Sequence, residues 1–142
     1  MKTVFADASY WIALLNPNDQ LHQKAIEVSS RLGPFRVVTS EMTLSELLNG
    51  LSGCGSPLRE KAIQTVKSLS DNLNVEVVPQ TSRQFRRAMD RYGSAADKEW
   101  GITDCSSFDI MEDKRISEAL TYDHHFEQAG FRALLRDGQS QP

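Results

Sequence analysis

A three-layer α/β/α fold, one domain built on a central, mainly parallel sheet of five strands, is predicted by three features of the sequence. Short β-branched apolar runs alternate with stretches whose apolar residues recur at helical spacing, the order that gives a parallel sheet covered on both faces. Turn-forming residues punctuate them: Asn16-Pro17, Gly33-Pro34, the Gly53 to Pro57 stretch and Pro79. Asp7, Glu46, Asp104 and Asp123 each fall where a strand-like run hands over to a helix-like one. In an open parallel sheet such junctions share one edge, where α/β proteins bind their ligands.

Taken in order, Lys2 to Ala6 reads as a buried strand. Ala8 to Leu15 reads as a helix stopped near Asn16-Pro17, because proline cannot donate a backbone hydrogen bond. A second helix is expected from about Asp19 to Leu32, ended by Gly33-Pro34. Phe35 to Thr39 is β-branched and apolar, hence a strand. Leu44, Leu47, Leu48 and Leu51 then form one apolar helix face. Within that helix Thr43-Leu44-Ser45-Glu46 matches a capping box, in which Glu46 would reach back to the cap amide.

After the Gly53 to Pro57 loop, Leu58, Ala62, Val66 and Leu69 line one side of the next helix. Val75 to Val78 is the third strand. Thr81 or Ser82 caps a helix that reaches about Tyr92 or Gly93 and carries several arginines. Thr103 opens a helix through about Asp113. Ile116 to Thr121 gives a fourth strand, His124 to Ala129 a helical turn, and Phe131 to Leu135 a fifth strand. The domain is expected to occupy residues 1–136, with a polar, disordered tail over 137–142.

Composition narrows the classes of function. A chain of 142 residues suits one domain with a sizeable core, and 39% apolar with 25% charged residues is ordinary for a soluble globular protein. No apolar run approaches the ~20 residues that span a bilayer. Met1 to Phe5 begins as a strand rather than as a signal peptide. Cys54 and Cys105 match no metal-ligand spacing and form no disulfide scaffold, so a reducing, cytoplasmic setting is expected. The net charge of −3 does not advertise a nucleic-acid binder. Yet Arg83, Arg86, Arg87, Arg91 and Lys98 lie close together, diluted by Asp90, Asp97 and Glu99.

Each acid has a local explanation. Asp7 and Asp123 can cap the segments that follow them, Glu46 fits the capping box, and Asp104 complements a helix dipole in its first turn. None of those roles requires all four to share one end of a sheet. Gathered carboxylates repel and raise one another's pKa values, and a divalent cation relieves that repulsion. The cation also lowers the pKa of a bound water, orients a phosphate and stabilises a leaving oxygen. All-oxygen ligands favour Mg²⁺ or Mn²⁺, and the sequence suggests no His or Cys cluster suited to zinc. The chemistry indicated is hydrolysis of a phosphodiester by a metal-activated water.

Other residues carry weaker signals. His124 and His125 could touch substrate. Asp109, five residues past Asp104, is expected to be solvated. Cys105 lacks any cue for an activated nucleophile, and Trp11, Trp100 and Phe108 read as core, or else as walls of a substrate cleft. The arginine-bearing helix is either a solvated surface or a contact for an RNA backbone through Arg83, Arg86 and Arg87.

Four stretches together resemble the PIN domain: Phe5-Ala6-Asp7-Ala8-Ser9, Ser45-Glu46-Leu47-Leu48, Thr103-Asp104-Cys105-Ser106-Ser107-Phe108, and Leu120-Thr121-Tyr122-Asp123-His124-His125-Phe126. The last two are the most specific and are similar to single-domain VapC-like toxins of type II toxin–antitoxin systems. The similarity spans essentially Met1 to Leu135. It implies a Mg²⁺- or Mn²⁺-dependent endoribonuclease, with Asp7, Glu46, Asp104 and Asp123 as catalytic metal ligands and Ser9 and Thr103 in support. It also implies an RNA substrate, a homodimer and a small antitoxin whose segment plugs the acidic groove.

Two other classes compete. An aspartate-nucleophile phosphatase needs a second acid two residues after the first, but that position is Ser9; a receiver domain needs an acid pair after the first strand and a late-strand lysine, and neither is evident. A non-catalytic nucleic-acid- or protein-binding module would hold RNA without cutting it. A DNA-directed nuclease fits the same metal chemistry, which does not depend on the 2′-OH.

Overall fold

The first strand determines the layout. In the computed structural model, which describes residues 1–137, β1 (Lys2–Ala6) alternates its side chains between two apolar layers, Val4 and Ala6 facing one and Phe5 the other. It is followed by α1 (Ala8–Leu15), α2 (His22–Leu32), β2 (Phe35–Ser40), α3 (Glu41–Leu51), α4 (Ser56–Asp71), β3 (Val75–Val78) and α5 (Ser82–Ser94). Then come α6 (Ile102–Lys114), β4 (Glu118–Leu120), α7 (His124–Gln128), β5 (Arg132–Ala133) and a 3₁₀ turn over Leu134–Arg136. The sheet order is β3-β2-β1-β4-β5 and every pairing is parallel. The α/β/α architecture and the five strands are those expected from the sequence.

One apolar layer packs Val4, Ala6, Val37 and Leu120 of the sheet against Tyr10, Trp11, Leu44, Leu47 and Leu51. The other joins Phe5, Val38, Val78 and Ala119 to Phe108, Ile110, Met111 and Phe126. Phe108 is fully buried and meets Phe126 edge-on, with ring centroids 5.0 Å apart. Both faces of the sheet are therefore covered, as β-branched strands of this kind require.

The differences from the sequence reading are local. α2 starts at His22, not Asp19, because Asp19 turns its carboxylate onto the Leu21 amide (2.9 Å) and completes a tight turn. Ser56 and Pro57 belong to the first turn of α4, where a missing N–H costs nothing. β4 and β5 are shorter than expected. Gly130, at φ +96°, turns the chain between α7 and β5, and the amides of Gly130 and Phe131 cap α7 on Glu127 and Phe126. Asp137, assigned to the tail by sequence, accepts from Lys24 at its carbonyl (2.9 Å) and pairs with Arg132 (2.7 Å). Positions 138–142 lie outside the described residues. No helix among the described residues is long and apolar enough to cross a membrane.

Candidate active site

The strand order reverses at β1: successive strands run outward from it to β3, then jump to β4 on its other side. Such a switch point leaves a crevice beyond the carboxyl ends of the two neighbouring strands. Asp7 follows β1 there and Asp123 follows β4, while Asp104 in the first turn of α6 and Glu46 on α3 face the same space. The four carboxylates are close enough that Asp7 and Glu46 both feel the charges of Asp104 and Asp123, and Glu46 feels that of Asp7.

Asp7 is the deepest of them, 7% exposed. It occupies the N-cap of α1 yet makes no capping bond with its side chain. Instead Thr121 Oγ1 donates to Asp7 Oδ2 at 2.9 Å, and Ser9 Oγ donates to the same oxygen at 3.3 Å. Thr121, fully buried at the end of β4, also accepts from the Asp123 amide at 3.0 Å and lies 3.3 Å from Ser9 Oγ. One hydroxyl thereby joins the acids after β1 and β4. The sequence reading named Ser9 and Thr103 as supports but not Thr121, whose cue was its place two residues before Asp123.

Glu46 does not cap its helix. Ser40 does: its hydroxyl accepts from the Thr43 amide at 3.1 Å, so α3 begins at Glu41 and Glu46 lies in mid-helix. The expected capping box from Thr43 to Glu46 is absent, and the Glu46 carboxylate is free to meet the hydroxyl of Thr103 across the crevice. On α6, Asp104 Oδ2 accepts from the Gly101 amide at 3.1 Å. His125 closes the remaining gap. Its Nδ1–H donates to Asp104 Oδ2 at 3.0 Å and lies 3.2 Å from Asp123 Oδ1.

The electrostatics follow from this crowding. Burial first, then the charges of Asp104 and Asp123, push Asp7 up to about 6 against the Thr121 hydrogen bond. Glu46 rises to about 7 through partial desolvation and then the charges of Asp7 and Asp104. Its side chain lies exposed at the crevice edge. Asp104 is also raised, chiefly by burial. Among the described residues no lysine or arginine pairs with any of the four. An all-oxygen set that lacks its own countercharge fits a hard divalent cation.

The arginines divide into two groups. Arg87 binds both oxygens of Asp113 at the far end of α6, nine residues and about 13 Å along the helix from Asp104. Arg91 Nε donates to Asp109 Oδ1 at 2.8 Å and its guanidinium pairs with Glu112 at 2.8 Å. Asp109 is accordingly buried, 6% exposed, and not solvated as its spacing from Asp104 suggested. α6 is enclosed on several sides, so the side of the helix away from the crevice is covered by α5 rather than by water. Arg83 and Arg86 form no ion pair among the described residues. A cavity of about 610 Å³ lies between α3 and α5, lined by Glu41, Ser45, Gln80, Thr81, Ser82 and Phe85 and by none of the four acids.

A family model described as the PIN domain matches residues 4–132. The chain belongs to the PIN-domain family. Among curated relatives, the 23S rRNA-specific endonuclease VapC20 of Mycobacterium tuberculosis, in strains CDC 1551 and H37Rv, is 32% identical over 131 residues. That alignment covers 90% of this chain and 95% of the relative. A crystal structure of M. tuberculosis VapC20, described as a sarcin–ricin loop cleaving toxin, superposes with a TM-score of 0.79 at 28% identity, covering 90% of this PIN domain and 95% of that chain. The similarity to VapC-like toxins drawn from the sequence motifs is thus present along the whole PIN domain.

Proposed function

We propose that this PIN domain is a Mg²⁺- or Mn²⁺-dependent endoribonuclease and the toxin of a toxin–antitoxin pair. The observation that carries the reading is the convergence of Asp7, Glu46, Asp104 and Asp123 at the switch point with no lysine or arginine among the described residues to neutralise them. A bound divalent cation supplies the missing charge, and with it a more acidic water and stabilisation of the leaving oxygen. Asp7 and Asp104 are the principal ligands, and Glu46 and Asp123 complete the set. Thr121 and Ser9 fix the Asp7 carboxylate, and Thr103 holds Glu46. Water attacks phosphorus in line and no enzyme-bound intermediate forms. Cys105, the one thiol adjoining the site, is buried, and burial pushes its pKa up, away from a nucleophilic thiolate.

Arg83 and Arg86 are the residues we assign to the RNA backbone. Arg87 is held by Asp113 and serves the fold first. The 23S rRNA specificity of VapC20 makes ribosomal RNA, and its sarcin–ricin loop in particular, the first substrate to offer. A homodimer and a small antitoxin belong to the same reading. α5 leaves Phe85, Met89 and Tyr92 exposed at 40%, 49% and 56%, a single apolar stripe at spacings of four and three residues that suits a second copy.

The test is cleavage of end-labelled rRNA and tRNA fragments by partner-free protein, with Mg²⁺ or Mn²⁺, with chelator, and beside Asp104→Asn. Discrete metal-dependent cuts that disappear in the folded mutant are expected. Wild-type activity retained by Asp104→Asn in a metal-replete assay refutes the assignment.

A further inference from the structure

The outer rim of the acidic crevice carries a second kind of donor set. Asp123, His124 and His125 each offer one ligand atom, and these atoms all lie within 4.8 Å of one another. His125 Nδ1 is 3.2 Å and His124 Nδ1 3.8 Å from Asp123 Oδ1, with the imidazole centroids 4.6 Å apart. Ligands about 2.0–2.1 Å from a tetrahedral ion sit roughly 3.3 Å from one another, so these separations need little adjustment to close on one. The three side chains are graded from 17% exposed at His125 to 32% at Asp123 and 56% at His124, which leaves a path for a hydrated ion from solvent.

We propose that Asp123, His124 and His125 form an inhibitory site for a late first-row cation, Zn²⁺ above all, at the rim of the ribonuclease centre. The inference rests on the Mg²⁺- or Mn²⁺-dependent reading above. Two imidazoles and a carboxylate suit Zn²⁺, whereas Mg²⁺ keeps to oxygen ligands and retains its waters. Binding at His125 Nδ1 takes the place of its contact with Asp104, the ring then carrying its proton on Nε2, and binding at Asp123 ties up one of the four acids. The same ion therefore removes a ligand from the hard-cation site and undoes the contact that spaces Asp104 from Asp123. Asp104 Oδ2, 3.0 Å from His125 Nδ1, is the nearest candidate for a fourth ligand.

His124 separates the two sites, because it touches none of the acids except Asp123 among the described contacts. The experiment compares the full-length wild type, His124→Ala and Glu46→Gln by Zn²⁺ titration calorimetry and by visible absorption of added Co²⁺, which reports tetrahedral coordination. Wild type and Glu46→Gln are expected to bind one Zn²⁺ alike, and His124→Ala at least about tenfold more weakly, the lower end of what losing even a supporting residue costs a metal site. In RNA cleavage assays with Mg²⁺, wild type and His124→Ala should be equally active until Zn²⁺ is added, which should inhibit the wild type at a lower concentration than His124→Ala. Equal Zn²⁺ affinity in wild type and His124→Ala overturns the site, as does a loss in Glu46→Gln matching that in His124→Ala. Binding without inhibition overturns its regulatory role. If no protein cleaves RNA, the ribonuclease reading fails while the Zn²⁺ and Co²⁺ titrations still decide the site.

Discussion

Two aspartates in this PIN domain are almost equally buried, Asp7 at 7% exposure and Asp109 at 6%, yet their surroundings are opposite. Asp109 faces Arg91 at 2.8 Å and Arg87 at 3.9 Å, so its charge is answered within the protein. Asp7 faces three more acids and is answered by two hydroxyls and the Ala8 amide, with no cationic partner among the described residues. A buried charge is costly unless paired. Asp109 therefore joins α5 to α6, while Asp7 has no cationic side chain beside it, as the proposed metal site requires. Burial alone does not mark a functional acid; the missing partner does.

The largest expected difference is in stability. Asp109→Ala leaves Arg91 with only Glu112 and should cost about 3 kcal/mol, the lower end for breaking a buried ion pair. Asp7→Asn in metal-free protein near neutral pH should be stabilising, because it removes repulsion. Urea unfolding of both variants checks the pair of signs. A similar loss in each would erase the distinction between the two acids.

Thr121→Val sharpens the comparison from the side of Asp7. It removes the hydroxyl that serves both Asp7 and the Asp123 amide, and RNA cleavage should fall roughly 10- to 100-fold, as for other residues that orient metal ligands. The Mn²⁺ concentration needed for half-maximal activity should rise with it. A fall in activity with no change in metal requirement would detach Thr121 from the ligand set.

The acids also set a pH dependence. Asp7 and Glu46 titrate at about 6 and about 7 in the folded protein, against 3.8 and 4.5 when unperturbed. Between roughly pH 4 and 7 the folded state thus holds more protons than the unfolded one, and stability falls as pH rises through that window. Asp113 and Glu118 are shifted downward by Arg87 and Lys2, so their contributions are lost only in more acidic solution. Thermal midpoints of the metal-free protein should decline from pH 4.5 to 7.5, and Asp7→Asn or saturating Mn²⁺ should flatten the decline. An unchanged slope in Asp7→Asn contradicts the assignment of the strained proton to Asp7.

The smallest effect belongs to the arginines. Arg83→Gln and Arg86→Gln should each reduce the salt dependence of RNA binding by about one unit of log–log slope, while Arg87→Gln, already paired, should leave it unchanged. Binding isotherms across a salt series would separate them.

How far the sequence led differs between backbone and side chains. The alternating apolar periods, with Pro and Gly between them, were enough for the sheet, and the strand-to-helix handover held for Asp7 and Asp123. Glu46 stands in mid-helix and Asp104 follows a loop after α5, so helix packing, not a strand end, brings those two to the crevice. Glu46 was legible as a site residue but not its freedom: Ser40 and Thr43 both suit an N-cap, and only the packing of α3 selects Ser40. Asp109 was misread because a helical wheel shows which residues share a side, not whether another helix covers that side. Thr121 was not singled out, and His125 was named only as a candidate substrate contact, for a related reason. Their partners Asp7 and Asp104 are distant in sequence, and no local pattern reports which hydroxyl or imidazole closes on them.

The bond between Thr121 and Asp7 spans 114 positions of the chain. Contacts of such high sequence separation form late, after the local turns and helices on either side. During synthesis the N-terminal elements emerge first. A nascent chain already displaying Asp7, Glu46 and Asp104 still has no β4 to seat Thr121 or deliver Asp123. The four-carboxylate cluster is thus timed by topology: it is complete only once β4 and Asp123 have left the ribosome.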